Sequence, residues 1–564
     1  MNKNKAHHSS KNNAKAESKT SIVNTSSSLS WLNENIISYI LLTLLILVVV
    51  IIRYKFISIP FERDEGAYSY YGKLLLQGKT PYKDFYEQKF PGIFYFYALM
   101  VGVFGDTIEG MHKGFILLNV LTLTFIFFSV KKLLNSTAGI ISAITFAIVS
   151  LTPNLSGFTV QSEHGVIFFA SLGIFFYVLS RQAQKWYYLL GMGLAMGAAF
   201  MTKTTGLFML LWGGIILIID FMFLKEKSFK LFMRPVLIYS AGALFVMGFL
   251  FFLIYLHGSF KEMIYWTYDI PKRYVSRVPF EEGIKYFKYT RDAILQNHKF
   301  FWYHGILSVF LCLLKSINLR TKLLFWTLAI FSSVMIVPGF YFYGHYWIQL
   351  TLGLAVLSGL TFYAINQFFS SVFNTKSNYL KYAYLSIFIF VTFDHLKGLK
   401  NYYFRPNYNL VLRSVYGNNP FPETKEIANY INAHSKPEDA IVAMGSEPEI
   451  YFYTKKNCPS RHAYFSAMVD NVPEHKEWQR EYVKDIEKAK PKFFIFYNHP
   501  ISLLVQANTD RYVFEWANEY INKNYKLTGL VDMNDNGLSN YVWNESLIGY
   551  KPTAQNIIYI YERK

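Results

Sequence analysis

Arg63-Asp64-Glu65 sets two adjacent carboxylates beside a guanidinium, shortly after an apolar run closed by Arg53. Charges this near to hydrocarbon are expensive unless they pair or do chemistry. A carboxylate kept ionised by its neighbours can act as a general base, so Asp64 and Glu65 are the first catalytic candidates. The competing reading is a solvated loop with a local ion pair. The same stretch reaches Lys89-Phe90-Pro91-Gly92. There Lys89 would sit at headgroup depth, where an ammonium suits a lipid phosphate; otherwise it snorkels and anchors the next helix. In Gln161-Ser162-Glu163-His164, Glu163 is a second candidate acid, or with His164 a weak metal pair. A lone Glu-His lacks diagnostic metal spacing, so the bland reading is favoured. Lys203 interrupts a long apolar run, and a lysine at that level is expected to face an anion. In the Tyr341–Gln349 stretch, His345 and Gln349 share one face if a helix begins there, with Tyr346 beside them in an aromatic belt. That belt has an ordinary use as an interfacial anchor.

The elements that must position these groups are set by composition. Of 564 residues, 52% are hydrophobic and 19% aromatic, and only 16% are Asp, Glu, Lys or Arg. Soluble proteins carry roughly 25%. That scarcity excludes disorder as the dominant state and argues against a soluble assembly. Two cysteines, Cys312 and Cys458, exclude a disulfide framework and a cysteine-based zinc site. Apolar runs of spanning length recur at 36–52, 114–130, 137–152, 165–180, 187–202, 206–224, 235–256, 300–314, 323–338, 348–366 and 379–397. They predict a polytopic α-helical membrane protein of about eleven transmembrane helices. The shorter apolar stretch Pro91–Gly105 reads as an interfacial or re-entrant helix.

The net charge of +19 tests this layout. With a cytoplasmic N-terminus, the tail and every alternate loop are positive: Lys131-Lys132, Arg181 with Lys185, the 225–234 loop, Lys315 with Arg320 and Lys322, and Lys376 with Lys381. The positive-inside rule therefore accounts for the basic excess, and no nucleic-acid partner is implied. Residues 53–113, about 153–164, 257–299 and everything after 398 then face outward. We expect three parts: a disordered cytoplasmic tail over 1–35, a transmembrane catalytic domain over 36–397, and an extracytoplasmic α/β domain over 398–564. In the last, helix-like Pro422–His434 and Trp478–Lys488 alternate with strand-like Ala440–Met444 and Phe493–Tyr497.

Four features occur in order: Asp-Glu after the first span, a Lys-Phe-Pro-Gly turn, Thr-Lys between later spans, and a Gly-His-Tyr-x-x-Gln helix entry. This order resembles the bacterial protein O-mannosyltransferase/ArnT-like members of the GT-C membrane glycosyltransferases (family 39-like). Asn419–Glu423 and Ser446–Tyr451 also resemble bacterial members of that group. The resemblance implies a GT-C fold and transfer of a sugar from a polyprenyl-phosphate carrier to an acceptor at the outer face of the cell membrane, with inversion. It makes Asp64 the first-loop catalytic aspartate, Glu65 its acidic neighbour and Lys89 the lysine facing the carrier phosphate. Phe90 departs from the family's Lys-Pro-Pro turn, and Gly66-Ala67 stand where ArnT-type members often carry an arginine.

Residue chemistry agrees. An outward site has no supply of cytoplasmic nucleotide sugars, and no Gly-rich phosphate loop is present to bind one. Asp64 would take the acceptor's proton, with Glu163 as second candidate. Lys89, Lys203 and Arg63 would steady the departing phosphate, and His345, Tyr346 and Gln349 complete the expected substrate-binding set. The sugar stays open, as does the acceptor (lipid, polysaccharide or protein), and a divalent metal is neither required nor excluded. A flippase for lipid-linked sugars is the main rival, but it should show inverted repeats. An assembly factor is the third reading, and it leaves the loop carboxylates unexplained.

Overall fold

A computed structural model describes residues 25–275, 277–314, 317–372, 378–470, 472–534 and 538–564. Fifteen helices lead to the C-terminal domain: α1 (Thr25–Tyr54), α2 (Arg63–Leu76), α3 (Gly92–Phe104), α4 (Ile108–Leu133), α5 (Ser136–Ser150), α6 (Ser162–Ala183), α7 (Trp186–Thr202), α8 (Leu207–Met222), α9 (Phe229–Leu256), α10 (Phe260–Ile264), α11 (Ile270–Val275), α12 (Phe280–Leu311), α13 (Leu319–Val334), α14 (Ile348–Val372) and α15 (Asn378–Gly398). Each of the eleven apolar runs lies largely within one of these helices. Among the described residues, six helical segments are long and apolar enough to cross a membrane, and Gly92–Phe104 and Ser136–Ser150 are shorter apolar helices. The chain is thus a multi-pass helical membrane protein, and six of the eleven runs lie in helical segments that meet this length and hydropathy. The runs at 137–152 and 323–338 fall short because their helices have 15 and 16 residues.

Most of the expected tail, residues 1–24, lies outside the described residues. Helix α1 nevertheless begins at Thr25, ahead of the apolar run at Ile36. Polar contacts hold it just ahead of that run: Glu34 pairs with Lys381 at 3.0 Å, and the Ser136 hydroxyl donates to Asn35 at 3.0 Å. Lys315 and Lys376 of the basic loops are also outside the described residues.

Small residues set the bundle's closest crossing. Gly193 and Gly197 on α7 face the backbone at Tyr239 and Ala243 of α9, and a Cβ at either glycine would collide. Such close backbone approach gains packing where hydrocarbon supplies no hydrophobic drive. Of the six spanning segments among the described residues, the one that carries α14 is the most enclosed, and it packs on α5, α12 and α13.

The C-terminal region is a five-stranded mixed sheet: β1 (Ile441–Met444), β2 (Phe493–Asn498), β3 (Tyr525–Met533), β4 (Ser539–Trp543) and β5 (Asn556–Arg563), in the order β1-β2-β5-β3-β4. Only β1 and β2 are parallel, and helix His475–Ala489 makes the crossover that parallel pairing needs. The other pairings are antiparallel. The expected αβ alternation accounts for the first half of this domain, and the antiparallel half was not anticipated. The sheet is not insulated from the helices. Phe61, Tyr68, Tyr70, Phe94 and Tyr97 share one apolar cluster with Met444, Ile450, Tyr451 and Phe452.

Candidate functional site

The first turn of α2 sorts three consecutive charges into three directions. Glu62 is its N-cap, and its carboxylate accepts the Glu65 backbone N–H at 2.6 Å and Gln161 Nε2 at 2.7 Å. A cap of this kind satisfies an orphan donor, and acids in the first turn suit the helix dipole. Successive side chains then point about 100° apart, so Arg63, Asp64 and Glu65 cannot share an environment.

Asp64 is half-buried and accepts a hydrogen bond from the Tyr68 hydroxyl at 3.1 Å, one turn along the same face. The Tyr68 hydroxyl in turn accepts from Lys89 Nζ, and the ammonium lies 4.6 Å from the Tyr68 ring centroid. Lys89 also donates to Glu87 at 3.2 Å. Burial works against the Lys89 charge, but Glu87, Asp64 and Glu163 outweigh it and hold the pKa above an ordinary lysine's. The turn that presents Lys89 is well fixed. The Tyr82 hydroxyl donates to the Lys89 carbonyl at 2.8 Å, and the Phe90 ring packs on Phe200 at 5.1 Å. Gly92 abuts the Met201 backbone so closely that no Cβ fits, which brings this turn against the end of α7, two residues before Lys203.

Lys203 caps α7 in an extended conformation and forms a buried ion pair with Glu163, at the start of α6. Its ammonium lies 4.5 Å from the Tyr346 ring centroid, and His345 Nε2 is 3.9 Å from the same Glu163 carboxylate. The Thr205 hydroxyl donates to Gln349 at 2.5 Å, tying the loop after α7 to the entry of α14. The charges of Asp64, Lys89, Lys203 and Glu163 all bear on His345. Six of the expected residues therefore gather: Asp64, Lys89, Glu163, Lys203, His345 and Tyr346. The arrangement offers one partly accessible carboxylate beside two ammonium ions, each oriented by a carboxylate of its own.

The other expected residues lie elsewhere. Glu65 is fully buried and turned inward, accepting from His112 Nε2 at 3.0 Å and the Val160 N–H at 3.1 Å. Arg63 points into the C-terminal domain, 3.1 Å from Glu447. Gln349 is buried and holds backbone and Thr205. His164 packs edge-on against Phe115 at 4.6 Å, away from its neighbour Glu163. Among the described residues no three His, Cys, Asp or Glu side chains gather as a metal site would require. Sequence reasoning missed Tyr68, Glu87, Glu62 and His112. The first two were within reach, being four residues from Asp64 and two from Lys89; the others are brought in by tertiary packing.

Residues 88–255 match the family described as dolichyl-phosphate-mannose-protein mannosyltransferase. The matched segment holds Lys89, Glu163 and Lys203 and begins after Asp64. The structure is similar to that of ArnT from Cupriavidus metallidurans in the apo state, at 13% identity and a TM-score of 0.53, covering 83% of this chain and 93% of that one. The same protein bound to undecaprenyl phosphate gives 13% identity and 0.52, covering 81% and 93%. The apo oligosaccharyltransferase of Archaeoglobus fulgidus gives 12% identity and 0.49, covering 90% and 74%. No curated protein matches by sequence. The family match is thus confined to residues 88–255, and the likeness to ArnT, at 13% identity, is one of fold.

Proposed function

We propose that this protein transfers a sugar from a polyprenyl-phosphate carrier to an acceptor hydroxyl at the outer face of the cell membrane. The N-terminus is cytoplasmic and the C-terminal domain extracytoplasmic, as the basic loops require. Asp64 removes the acceptor's proton as its oxygen attacks the anomeric carbon. The carbon–oxygen bond to the phosphate breaks, its electron pair leaves on the phosphate oxygen, and a single displacement inverts the anomeric centre. Lys89 and Lys203 offset the charge that builds on the leaving phosphate. Donors fixed in advance need no reorganisation at that moment, which is where such sites gain most of their rate. Glu87 and Glu163 supply the fixing.

One observation carries the reading: the Asp64 carboxylate is linked through the Tyr68 hydroxyl to the Lys89 ammonium, with Lys203 within electrostatic reach of both. A base and a phosphate-binding cation on one hydrogen-bonded line suit attack on a sugar phosphate. A flippase needs the cations but has no use for the carboxylate. Purified protein incubated with a polyprenyl phosphate carrying a labelled sugar should move the label to an acceptor, with a matching mass shift and inverted configuration. Label moving only from a nucleotide sugar, or lipid crossing the bilayer without transfer, would overturn the reading.

A further inference from the structure

Arg63 and Asp64 are neighbours in the first turn of α2, yet they address different parts of the molecule. Arg63 Nε donates to the Ser446 carbonyl at 2.6 Å. Its Nη2 reaches Glu447 Oε1 at 3.1 Å, and Asn419 Oδ1 and the Ile501 carbonyl at 3.2 Å each. These partners come from three separate segments of the C-terminal region. The Arg63 side chain is 14% exposed and that of Glu447 0%. Residues on either side of Asp64 are fastened to the same region. The Phe61 N–H donates to the Tyr453 hydroxyl at 2.6 Å, and Gly66 abuts Glu449 so closely that any side chain there would collide.

We propose that the C-terminal domain is a positioning device for Asp64, with Glu447 acting through Arg63 to hold the first turn of α2. The first turn of a helix has N–H groups without partners inside the helix, and here the Glu62 cap meets only one of them. Only a short connection, residues 55–62, joins it to α1. Arg63 fastens this turn from outside, as a planar fork whose direction is set once its partners in the C-terminal region are set. With Arg63 clamped on one side, the Asp64 carboxylate is left facing Tyr68 and Lys89 on the other. Arg63 and Glu447 are then positioning residues and do not touch the donor. The catalytic consequence rests on the glycosyl-transfer reading above; the clamp itself does not.

The test uses full-length protein and two readouts, amide exchange over residues 63–68 and steady-state transfer from a labelled polyprenyl-phosphate sugar. Glu447→Gln should raise exchange there about tenfold or more and leave α14 unchanged. It should lower kcat about 10- to 100-fold while KM for the donor stays within about twofold, as expected for a misplaced reacting group. Glu447→Asp should recover part of the loss. Lys455→Gln, which removes an exposed ion pair to Asp106 at 3.1 Å, is the control and should change neither readout. Unchanged exchange in Glu447→Gln overturns the clamp. Raised exchange with an unchanged kcat overturns its positioning role, and a rise in KM confined to Arg63→Lys would make Arg63 a donor ligand instead. If exchange rises but the unsubstituted protein transfers no sugar from any polyprenyl phosphate, the reaction is misread and the clamp stands.

Discussion

The two sides of the α2 first turn carry similar numbers of charges and hold them in opposite ways. On one side, Lys89 and Lys203 are each paired with a carboxylate, and the half-buried Asp64 stands beside them. On the other, Glu447 and Glu449 share a single guanidinium, Arg63, with the Glu62 charge also bearing on Glu449, and all three acids are buried. Both Glu449 oxygens lack a hydrogen-bond partner, and burial pushes its pKa well above the ordinary carboxylate range. Glu62 is pushed up to about 8 by burial, with the Asp64 charge adding to it. A buried acid without enough cations keeps its proton. Lys89 is held in its charged form and can meet a phosphate, whereas the carboxylate side is kept near neutral and can serve as a joint.

Breaking the cationic side should give the larger effects. Lys203→Met leaves Glu163 buried without its ion pair, which costs about 3–5 kcal/mol of stability. Transfer should fall by about 10²- to 10³-fold, the usual loss of an electrostatic donor. Adding Glu163→Gln should restore much of the melting temperature and none of the activity. Recovery of both in the double variant would reduce the pair to a structural bridge.

Next comes Glu65→Gln, next to Asp64 in sequence but on the buried side. It weakens contacts to His112 and Val160 and should cost about 1–3 kcal/mol in a denaturation curve. Turnover per folded molecule should stay within about threefold, since the residue faces away from the ammonium ions. A large fall in kcat with normal stability would move Glu65 into the reaction.

The smallest effect sharpens the comparison through pH. Glu62 has a folded pKa of about 8 against an ordinary 4.5, so the folded state holds its proton more tightly. That stabilisation is complete below pH 4.5 and is lost as pH rises through 8. Its slope cannot exceed about 1.4 kcal/mol per pH unit, the limit for one proton. Melting temperatures measured from pH 6 to 9 should fall for the unsubstituted protein and flatten in Glu62→Gln. Equal slopes would show that Glu62 is ionised throughout.

How much of this could be read from the sequence depended on whether a residue's role was local. The helical runs follow from the length of unbroken apolar sequence and the strands at β1 and β2 from short apolar stretches, and Asp64, Lys89, Lys203 and His345 stood out as polar groups in apolar surroundings. What failed were roles set by direction. Adjacency suggested that Asp64 and Glu65 work together, but successive helical side chains diverge, and one of the two was bound to turn inward. In the sequence, Arg53 only closes the first apolar run. It is 4% exposed and donates to the Gly157 carbonyl at 2.6 Å and to Asn119 at 2.8 Å, bracing the loop before α6. Glu447 lies 384 residues from Arg63, and no local pattern marks such a pair. The antiparallel strands β3 to β5 were hidden for another reason: their polar and aromatic residues do not alternate cleanly, because both faces of β3 are largely covered.

The central claim is that Asp64 performs the proton transfer while the cations hold the donor. The most direct measurement is turnover together with donor affinity in Asp64→Asn, on protein shown to be folded and inserted. The account predicts that transfer is lost by about 10³-fold or more, while the polyprenyl-phosphate sugar still binds to Lys89 and Lys203 with nearly unchanged affinity. Turnover within about tenfold of the unsubstituted protein would contradict it.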